Sequence, residues 1–310
     1  MSVPSDRTYL LTGAAGFIGS HLGNRLLESG NRVYGIDNYL HPVGAPVEFK
    51  IEHADVREPE FVAVRARGAD GVIHLAAAIN IDWARGFPEI AWEINVVGTQ
   101  NVLETCRRLD LPLVYASSSE IYGSAQERTM SERHPLDPQS VYGASKVAAD
   151  RLCHAYQKEQ GIKVNIVRLF NTFGPYQGED SYGGVIAKFT RFALEGKPMT
   201  IYGSGEQRRD YLWIDDAVDA YLLALSTNFS GAVNFGTGTT VSVLDIARDV
   251  ASLCDLQPNG PKSLWEFGLP RPSEVDCLRA DWTKAKSLGW APKTTFLDGL
   301  QRYVEWAKQN

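Results

Sequence analysis

The feature that most restricts the fold of this chain is a glycine-rich turn between an apolar run and a helical pattern. Thr8–Thr12 reads as a buried strand, and the leucines that follow the turn recur at helical spacing. Glycines let a backbone approach a pyrophosphate, and the helix N-terminus offers free N–H groups. The glycine spacing is GxxGxxG rather than GxGxxG, but the strand and the helix stand where a dinucleotide-binding turn requires them. The candidate cofactor-binding residues of this turn are Gly13, Gly16, Phe17, Ile18 and Gly19.

A second predicted strand, residues 32–38, ends in an acid about twenty residues after the turn, as the dinucleotide fingerprint expects. Asp37 would accept hydrogen bonds from ribose hydroxyls and repel a 2′-phosphate, with Asn38 beside it in the same site. No Arg or Lys follows closely to receive that phosphate. The pattern predicts NAD rather than NADP, and the alternative reading of Asp37 is an aspartate in a surface turn.

Further apolar runs at 48–56, 71–78, 111–116 and 164–170 read as strands, and 88–109 reads as a long helix. This alternation predicts an α/β fold: a Rossmann-like doubly wound parallel sheet, followed by a smaller C-terminal α/β substrate-binding domain. Residues 1–170 form the expected NAD-binding domain and 171–310 mainly the other. Parts of about 210–250, the strand at 232–235 and the helix at 243–254, are expected to pack back on the sheet.

Two polar or small segments are candidates for the cofactor site. The fourth strand runs into Leu75, Ala76 and Ala77, and small side chains at a strand's carboxyl end let a cofactor lie close. Asn95 falls within the predicted long helix. It is either a polar residue on the helix surface or a buried asparagine that bridges backbone groups or positions a water.

Composition excludes several classes of function. The chain has 310 residues, a net charge of −6 and no dense Lys/Arg block, so nucleic-acid binding has little electrostatic support. There is no uninterrupted apolar run long enough to span a bilayer. The four cysteines are far apart and fit reduced thiols in a cytoplasm. The histidines show no metal-binding spacing, and we expect no metal.

A tyrosine and a lysine stand four residues apart at the start of an amphipathic segment, 139–160. Tyr142 and Lys146 would project from the same helix face, where the ammonium favours phenolate and so makes the tyrosine a plausible base. Alone, the pair more often marks an ordinary helix with one aromatic side chain and one solvated lysine. A run of serines, residues 117–119, ends the predicted fifth strand, where a ligand would bind and where one of these serines could share a substrate hydroxyl with Tyr142.

Taken together and in this order, the motifs resemble the extended short-chain dehydrogenase/reductases, and among them the nucleotide-sugar epimerases and dehydratases. The resemblance covers essentially the whole chain. It implies Ser118, Tyr142 and Lys146 as a catalytic triad and places Asp55 and Val56 at the adenine. It also implies a nucleoside-diphosphate sugar as substrate and a homodimer formed through the helices that contain Asn95 and Tyr142.

The second half carries residues that the resemblance assigns to the substrate. Asn171 belongs to a segment similar to the family's RxxNxxGP, and two arginines correspond to those that grip the diphosphate. The helix predicted at 183–195 and the strand predicted at 198–202 carry the other residues that the resemblance assigns to the substrate. The candidate substrate-binding residues are Asn171, Val185, Lys188, Tyr202, Arg209 and Arg271.

The possible reactions share a first step, in which the sugar is oxidised to a ketone, expected at C4. Glu120 is the residue that bears on which reaction follows. Returning hydride to the other face gives an epimerase, which is favoured here. The resemblance gives Glu120 a role in 4,6-dehydratases and decarboxylases, so both remain alternatives. Ser119 stands where some dehydratases carry an aspartate, and it completes the candidate catalytic set. A non-catalytic NAD-binding protein is a further alternative that the intact triad argues against.

Overall fold

The computed structural model describes residues 5–41, 44–178, 184–256, 264–272 and 274–310. Seven strands form one parallel sheet in the order β10-β6-β5-β4-β1-β2-β3. Its strands are β1 (Thr8–Thr12), β2 (Arg32–Asp37), β3 (Ile51–His53), β4 (Gly71–His74), β5 (Leu113–Ser118), β6 (Val164–Leu169) and β10 (Gly231–Phe235). Strand order reverses at β1, between β2 and β4, as in a doubly wound sheet. The strands predicted at 48–56 and 71–78 are observed as β3 and β4. Both are shorter than predicted and are followed by loops.

Helices cover both faces of this sheet. The predicted helix 88–109 is present, with one π-helical turn, Glu93–Val97, in its middle. Ser140 caps the helix that follows β5, by accepting a hydrogen bond from the Gly143 N–H. The helices of this half are α1 (Phe17–Glu28), α2 (Pro59–Ala66), α3 (Ile81–Gly86), α4 (Pro88–Trp92), α5 (Gly98–Leu109) and α6 (Val141–Gln160).

The rest of the chain builds two small sheets and the helices around them. Strand β9 pairs with three neighbours, β7, β11 and β13, while β8 pairs with β12. The strands are β7 (Asn171–Phe173), β8 (Met199–Tyr202), β9 (Arg208–Trp213), β11 (Thr240–Ser242), β12 (Trp265–Gly268) and β13 (Cys277–Leu278). The helices are α7 (Val185–Leu194), α8 (Ile214–Ser226), α9 (Val243–Leu253), α10 (Thr283–Ser287) and α11 (Phe296–Ala307).

Two segments of the second half return to the large sheet. Strand β10 forms its edge beside β6, as expected for 232–235, and helix α8 packs on α1 and β6. Helix α9 does not join them, contrary to the expectation for 243–254. It packs mainly against α7, α11 and β11, and buries Ile246, Ala247, Val250 and Ala251. The helix predicted at 183–195 is observed from Val185; Gly183 lies outside the described residues.

Candidate active site

A cavity of about 800 Å³ lies at the carboxyl ends of the large-sheet strands, between the sheet and the small sheets. This is where ligands bind in open α/β sheets. Twenty-two of the predicted residues line it: Gly13, Gly16, Phe17, Ile18, Gly19, Asp37, Asn38, Val56, Leu75, Ala76, Ala77, Ser118, Ser119, Glu120, Tyr142, Lys146, Asn171, Val185, Lys188, Tyr202, Arg209 and Arg271. Of the predicted residues, Asp55 and Asn95 are not in its wall.

The glycine turn leaves room and donors for a phosphate. Gly13 has a φ of +72°, and a Cβ there would stand 2.6 Å from the Ala76 nitrogen. At Gly19 a Cβ would stand 2.1 Å from the Gly13 carbonyl oxygen. Helix α1 begins after Gly16 without a side-chain cap, so the N–H groups of its first turn remain for an anion. The turn therefore fits a dinucleotide pyrophosphate.

Asp37 ends β2 at the edge of the cavity. Its Oδ2 accepts a hydrogen bond from the Ala15 N–H (3.0 Å), and its Oδ1 accepts one from the Tyr39 N–H (2.8 Å). Burial raises the pKa of Asp37, and the two backbone hydrogen bonds oppose that rise. A carboxylate can accept about four hydrogen bonds, so capacity remains for ribose hydroxyls.

Asp55 lies outside the cavity wall, and its carboxylate accepts hydrogen bonds from protein donors. Arg57 donates to both of its oxygens, at 3.0 and 2.8 Å, and the Asn38 amide donates to Oδ2 at 2.9 Å. Burial raises the pKa of Asp55, but these hydrogen bonds outweigh it and hold the pKa at about 2. Asp55 thus orients Asn38, and Val56 is the member of the predicted pair that reaches the cavity.

Asn95 is buried in the π-helical turn, and its amide bridges backbone and helix. It accepts from the Ala78 N–H (2.7 Å) and donates to the Ala78 carbonyl (3.1 Å) and to Ser145 Oγ (2.8 Å). The bridging alternative raised by the sequence is the one observed. Asn95 fixes the loop after β4, whose Ala76 and Ala77 line the cavity.

Tyr142 and Ser118 meet inside the cavity. Burial raises the pKa of Tyr142 to about 12, the hydrogen bond with Ser118 lowers it, and the charge of Glu120 raises it further. Burial is the largest of these effects on the Tyr142 pKa. The Lys146 ammonium donates to the Ala116 carbonyl at 2.6 Å and lies 4.6 Å from the centre of the Tyr115 ring.

Glu120 projects from a short 3-10 turn, Ser119–Ile121, that follows β5. Burial raises the pKa of its carboxyl, the positive charge of Arg209 lowers it, and the negative charge of Glu274 raises it. Ser119 precedes it and is nearly inaccessible, with 3% of its surface exposed. A carboxyl with a raised pKa in a cleft is a candidate for proton transfer.

The two predicted arginines line the far side of the cavity. Arg209 donates to a Glu274 carboxylate oxygen at 2.7 Å, and the pair is largely buried. The Arg271 guanidinium lies 4.2 Å from the centre of the Tyr202 ring, which brings two predicted substrate residues into contact. Glu274 was missed by sequence reasoning, because only the fold brings β9 to the segment that carries it.

Asn171 opens β7 at the cavity wall. Its Oδ1 is buried and has no hydrogen-bond partner among the residues that the structure describes. The same is true of Oε1 of Gln177, whose Nε2 donates to the Thr172 carbonyl. Buried acceptors without a partner are rare and call for an explanation. Both are available to hydroxyl groups of a ligand, and Gln177 was not predicted.

No group of three or more His, Cys, Asp or Glu side chains within the described residues could hold a metal ion. None of the helices in the described part of the chain combines the length and the apolar character that crossing a membrane requires.

Proteins similar to this chain are named for three different activities. A putative UDP-glucose 4-epimerase of Methanocaldococcus jannaschii is 34% identical, over 97% of this chain and 98% of its own length. UDP-glucuronic acid decarboxylase 1 of Xenopus tropicalis is 31% identical, over 100% of this chain and 74% of its own. The crystal structure of the dTDP-glucose 4,6-dehydratase DesIV of Streptomyces venezuelae, which contains NAD, superposes with a TM-score of 0.90. It is 29% identical, over 98% of this chain and 97% of its own.

The family model described as "NAD dependent epimerase/dehydratase family" matches residues 9–236. The chain therefore belongs to this family, which confirms the family, the fold class and the NAD cofactor predicted from the sequence.

Proposed function

We propose that this protein is an NAD-dependent nucleotide-sugar 4-epimerase that works through a 4-keto sugar. The observation that carries the proposal is that Ser118 and Tyr142 line one cavity, with the glycine turn on one side and Arg209 on the other. A hydroxyl of a nucleotide sugar bound between them would meet a phenol and a serine together. NAD⁺, when bound, supplies the hydride acceptor and afterwards the donor.

The glycine turn, Asp37 and Val56 would hold the cofactor, and Asn171, Lys188, Arg209 and Arg271 would hold the substrate. Residues 1–170, with β10 and α8, would form the cofactor domain, and most of 171–310 the substrate domain. The arginines match a diphosphate, because guanidinium groups bind phosphates through two parallel hydrogen bonds.

Tyr142 would take the proton from the C4 hydroxyl and later return it. At a pKa of about 12 the phenol is protonated at neutral pH, so this step needs positive charge nearby. Lys146, one helical turn away, is the cation on the same helix face. Ser118 would hold the reacting oxygen through its hydroxyl.

Epimerisation is preferred to dehydration because of Ser119. Loss of water from C6 needs an acid to protonate the departing hydroxyl, and a buried serine hydroxyl is a poor acid. Glu120 is the observation that favours the second candidate, a 4,6-dehydratase or decarboxylase, since its carboxyl has a raised pKa and lies in the cavity with Tyr142.

The test is to incubate the protein with a panel of UDP-, dTDP-, GDP- and CDP-sugars and identify the products by mass spectrometry and NMR. An isomer of unchanged mass supports the proposal, whereas loss of water or of carbon dioxide would replace it with the second candidate. Tyr142→Phe is expected to abolish turnover and keep NAD binding. If no sugar is converted and no reduced cofactor appears in the absorbance spectrum, the protein binds NAD without catalysis.

A further inference from the structure

Three successive turns of helix α6 face the carboxyl end of strand β5. Tyr142 meets the serine that ends the strand, as described above. One turn on, the Lys146 ammonium donates to the Ala116 carbonyl at 2.6 Å. One turn further, Asp150 accepts a hydrogen bond of 2.8 Å from Ser117 Oγ. The spacing of four residues thus directs three side chains of one helix face towards the end of the strand, at Ser118, Ala116 and Ser117.

Asp150 is completely buried and is neutralised by an equally buried arginine of the next strand. Arg168 donates to both carboxylate oxygens, from Nε at 2.9 Å and from Nη2 at 2.8 Å. The same guanidinium donates to the Tyr122 hydroxyl at 2.8 Å, which donates to Asn234 Oδ1 at 2.7 Å. Burial raises the pKa of Asp150, but its hydrogen bonds hold it at about 2, so the carboxylate is ionised.

Stability alone does not account for this arrangement. A buried ion pair is often replaceable by apolar residues without loss of stability, because desolvation offsets the attraction. Ser117 stands directly before Ser118 and opposite Arg168 in the β5–β6 register. A donor–acceptor contact at Ser117 therefore fixes how the strand end, with Ser118, is presented to Tyr142.

We infer that Asp150 is a positioning residue of the proposed catalytic group: through Ser117 it holds Ser118 in register with Tyr142 and Lys146. The inference rests on the proposed function. Asp150 is not in the cavity wall and touches no reacting atom, so it acts through its neighbours. Substitution should lower kcat about 10- to 100-fold, as misplacement of reacting groups does, and leave KM nearly unchanged.

The charge of Asp150 adds a second, measurable effect. Burial lowers the pKa of Lys146 to about 8, while Cys153 and Asp150 raise it. Loss of the negative charge should therefore lower the pKa of Lys146 further. The titratable and charged groups packed around this pair are His74 of β4, Cys106 of α5, Tyr115 of β5, Arg168 of β6, and Tyr142, Arg151, Cys153 and His154 of α6.

The experiment compares three variants of the full chain with the wild type. Asp150→Asn removes the negative charge and keeps the shape of the side chain. It also leaves the buried Arg168 guanidinium without its carboxylate, so the double variant Asp150→Asn/Arg168→Gln removes that positive charge as well and limits the loss of stability. Asp216→Asn is the matched control, because Asp216 is another buried carboxylate that accepts two backbone N–H bonds, from Lys293 and Thr294, away from the cavity. Each protein is measured for kcat, KM, urea unfolding and NAD affinity.

The pKa of Lys146 is measured separately, by NMR of protein labelled with ¹³C at the lysine ε-carbon, with Lys146→Met to assign the signal. This titration needs neither NAD nor substrate. We expect both Asp150 variants to lower the lysine pKa, to lower kcat, and to move the alkaline limb of the kcat profile to lower pH. Asp216→Asn should change only the unfolding midpoint.

An unchanged lysine pKa together with an unchanged kcat profile in the double variant would overturn the inference. The same holds if Asp216→Asn reproduces every effect, since Asp150 would then be only a structural residue. If the wild type converts no nucleotide sugar, the proposed function fails instead, and the lysine titration still tests the link between Asp150 and Lys146.

Discussion

Gly13→Ala tests whether the cofactor turn depends on close backbone approach rather than on backbone conformation alone. Gly13 and Gly68 have nearly the same φ, +72° and +79°, but a Cβ at Gly13 would stand 2.6 Å from the Ala76 nitrogen, whereas none of the described atoms lies within 4 Å of one at Gly68. The left-handed conformation alone costs alanine about 1–2 kcal/mol. Gly68→Ala should therefore lower the free energy of unfolding by about that amount.

At Gly13 the steric cost adds to the conformational cost. Forcing extra atoms into a packed site costs about 1–3 kcal/mol, so Gly13→Ala should destabilise by about 2–5 kcal/mol in total. The nearest atom that a Cβ at Gly13 would meet belongs to the backbone of Ala76, which lines the cavity and cannot rotate away as a side chain can. The glycine turn itself must therefore move. NAD should then bind at least about tenfold more weakly, a change of about 1.4 kcal/mol.

The measurements are urea unfolding and NAD affinity by calorimetry, with Gly68→Ala as the matched control. Gly68→Ala should retain wild-type affinity for NAD, because its position faces open space. Equal destabilisation by both substitutions, with NAD affinity unchanged in both, would refute the steric argument.

Three other predictions concern carboxylates. Glu120→Gln should retain epimerase activity, because in the proposed route Tyr142 transfers the proton. Loss of all activity with intact NAD binding would instead support the lyase alternative. Asp37→Ser should raise the affinity for NADP relative to NAD, as titrated by calorimetry, since a carboxylate that repels a 2′-phosphate is removed; an unchanged ratio would contradict the role of Asp37. Asp55→Asn should destabilise at neutral pH, and because the pKa of Asp55 falls from 3.8 unfolded to about 2 folded, the difference from wild type should shrink as pH drops from about 4 to 2. A pH-independent difference in urea midpoint would show that hydrogen bonding rather than charge is responsible.

The sequence predicted best those features that depend on local pattern. The strand, glycine turn and helix at the start of the chain are present, and so is the helix predicted at 88–109. The π-helical turn around Asn95 was not predicted, and the hydrogen bonds of its side chain to Ala78 and Ser145, which are distant in sequence, become visible only in the fold. Helix α8 was not identified, although the acids Asp215 and Asp216 mark its first turn.

The sequence placed the candidate residues on the right elements but did not reveal their burial. Tyr142 and Ser118 both line the cavity, and burial there raises the pKa of Tyr142. Asp55 was placed at the adenine by resemblance, whereas its partner Arg57, two residues on, occupies both of its oxygens. Arg168 reads as one more residue of a strand, and only the fold shows that it is buried against Asp150.

Strand β10 makes the two halves of the chain inseparable. A fragment that ended at residue 170 would leave β6 as the edge of the sheet, and all six β6 residues, Val164–Leu169, are buried in the intact protein. An uncovered apolar edge strand invites pairing with other chains. We therefore expect such a fragment to aggregate. A nascent chain would in the same way have to reach beyond residue 235 before β10 could cover β6, so the large sheet can be completed only after most of the protein has been synthesised.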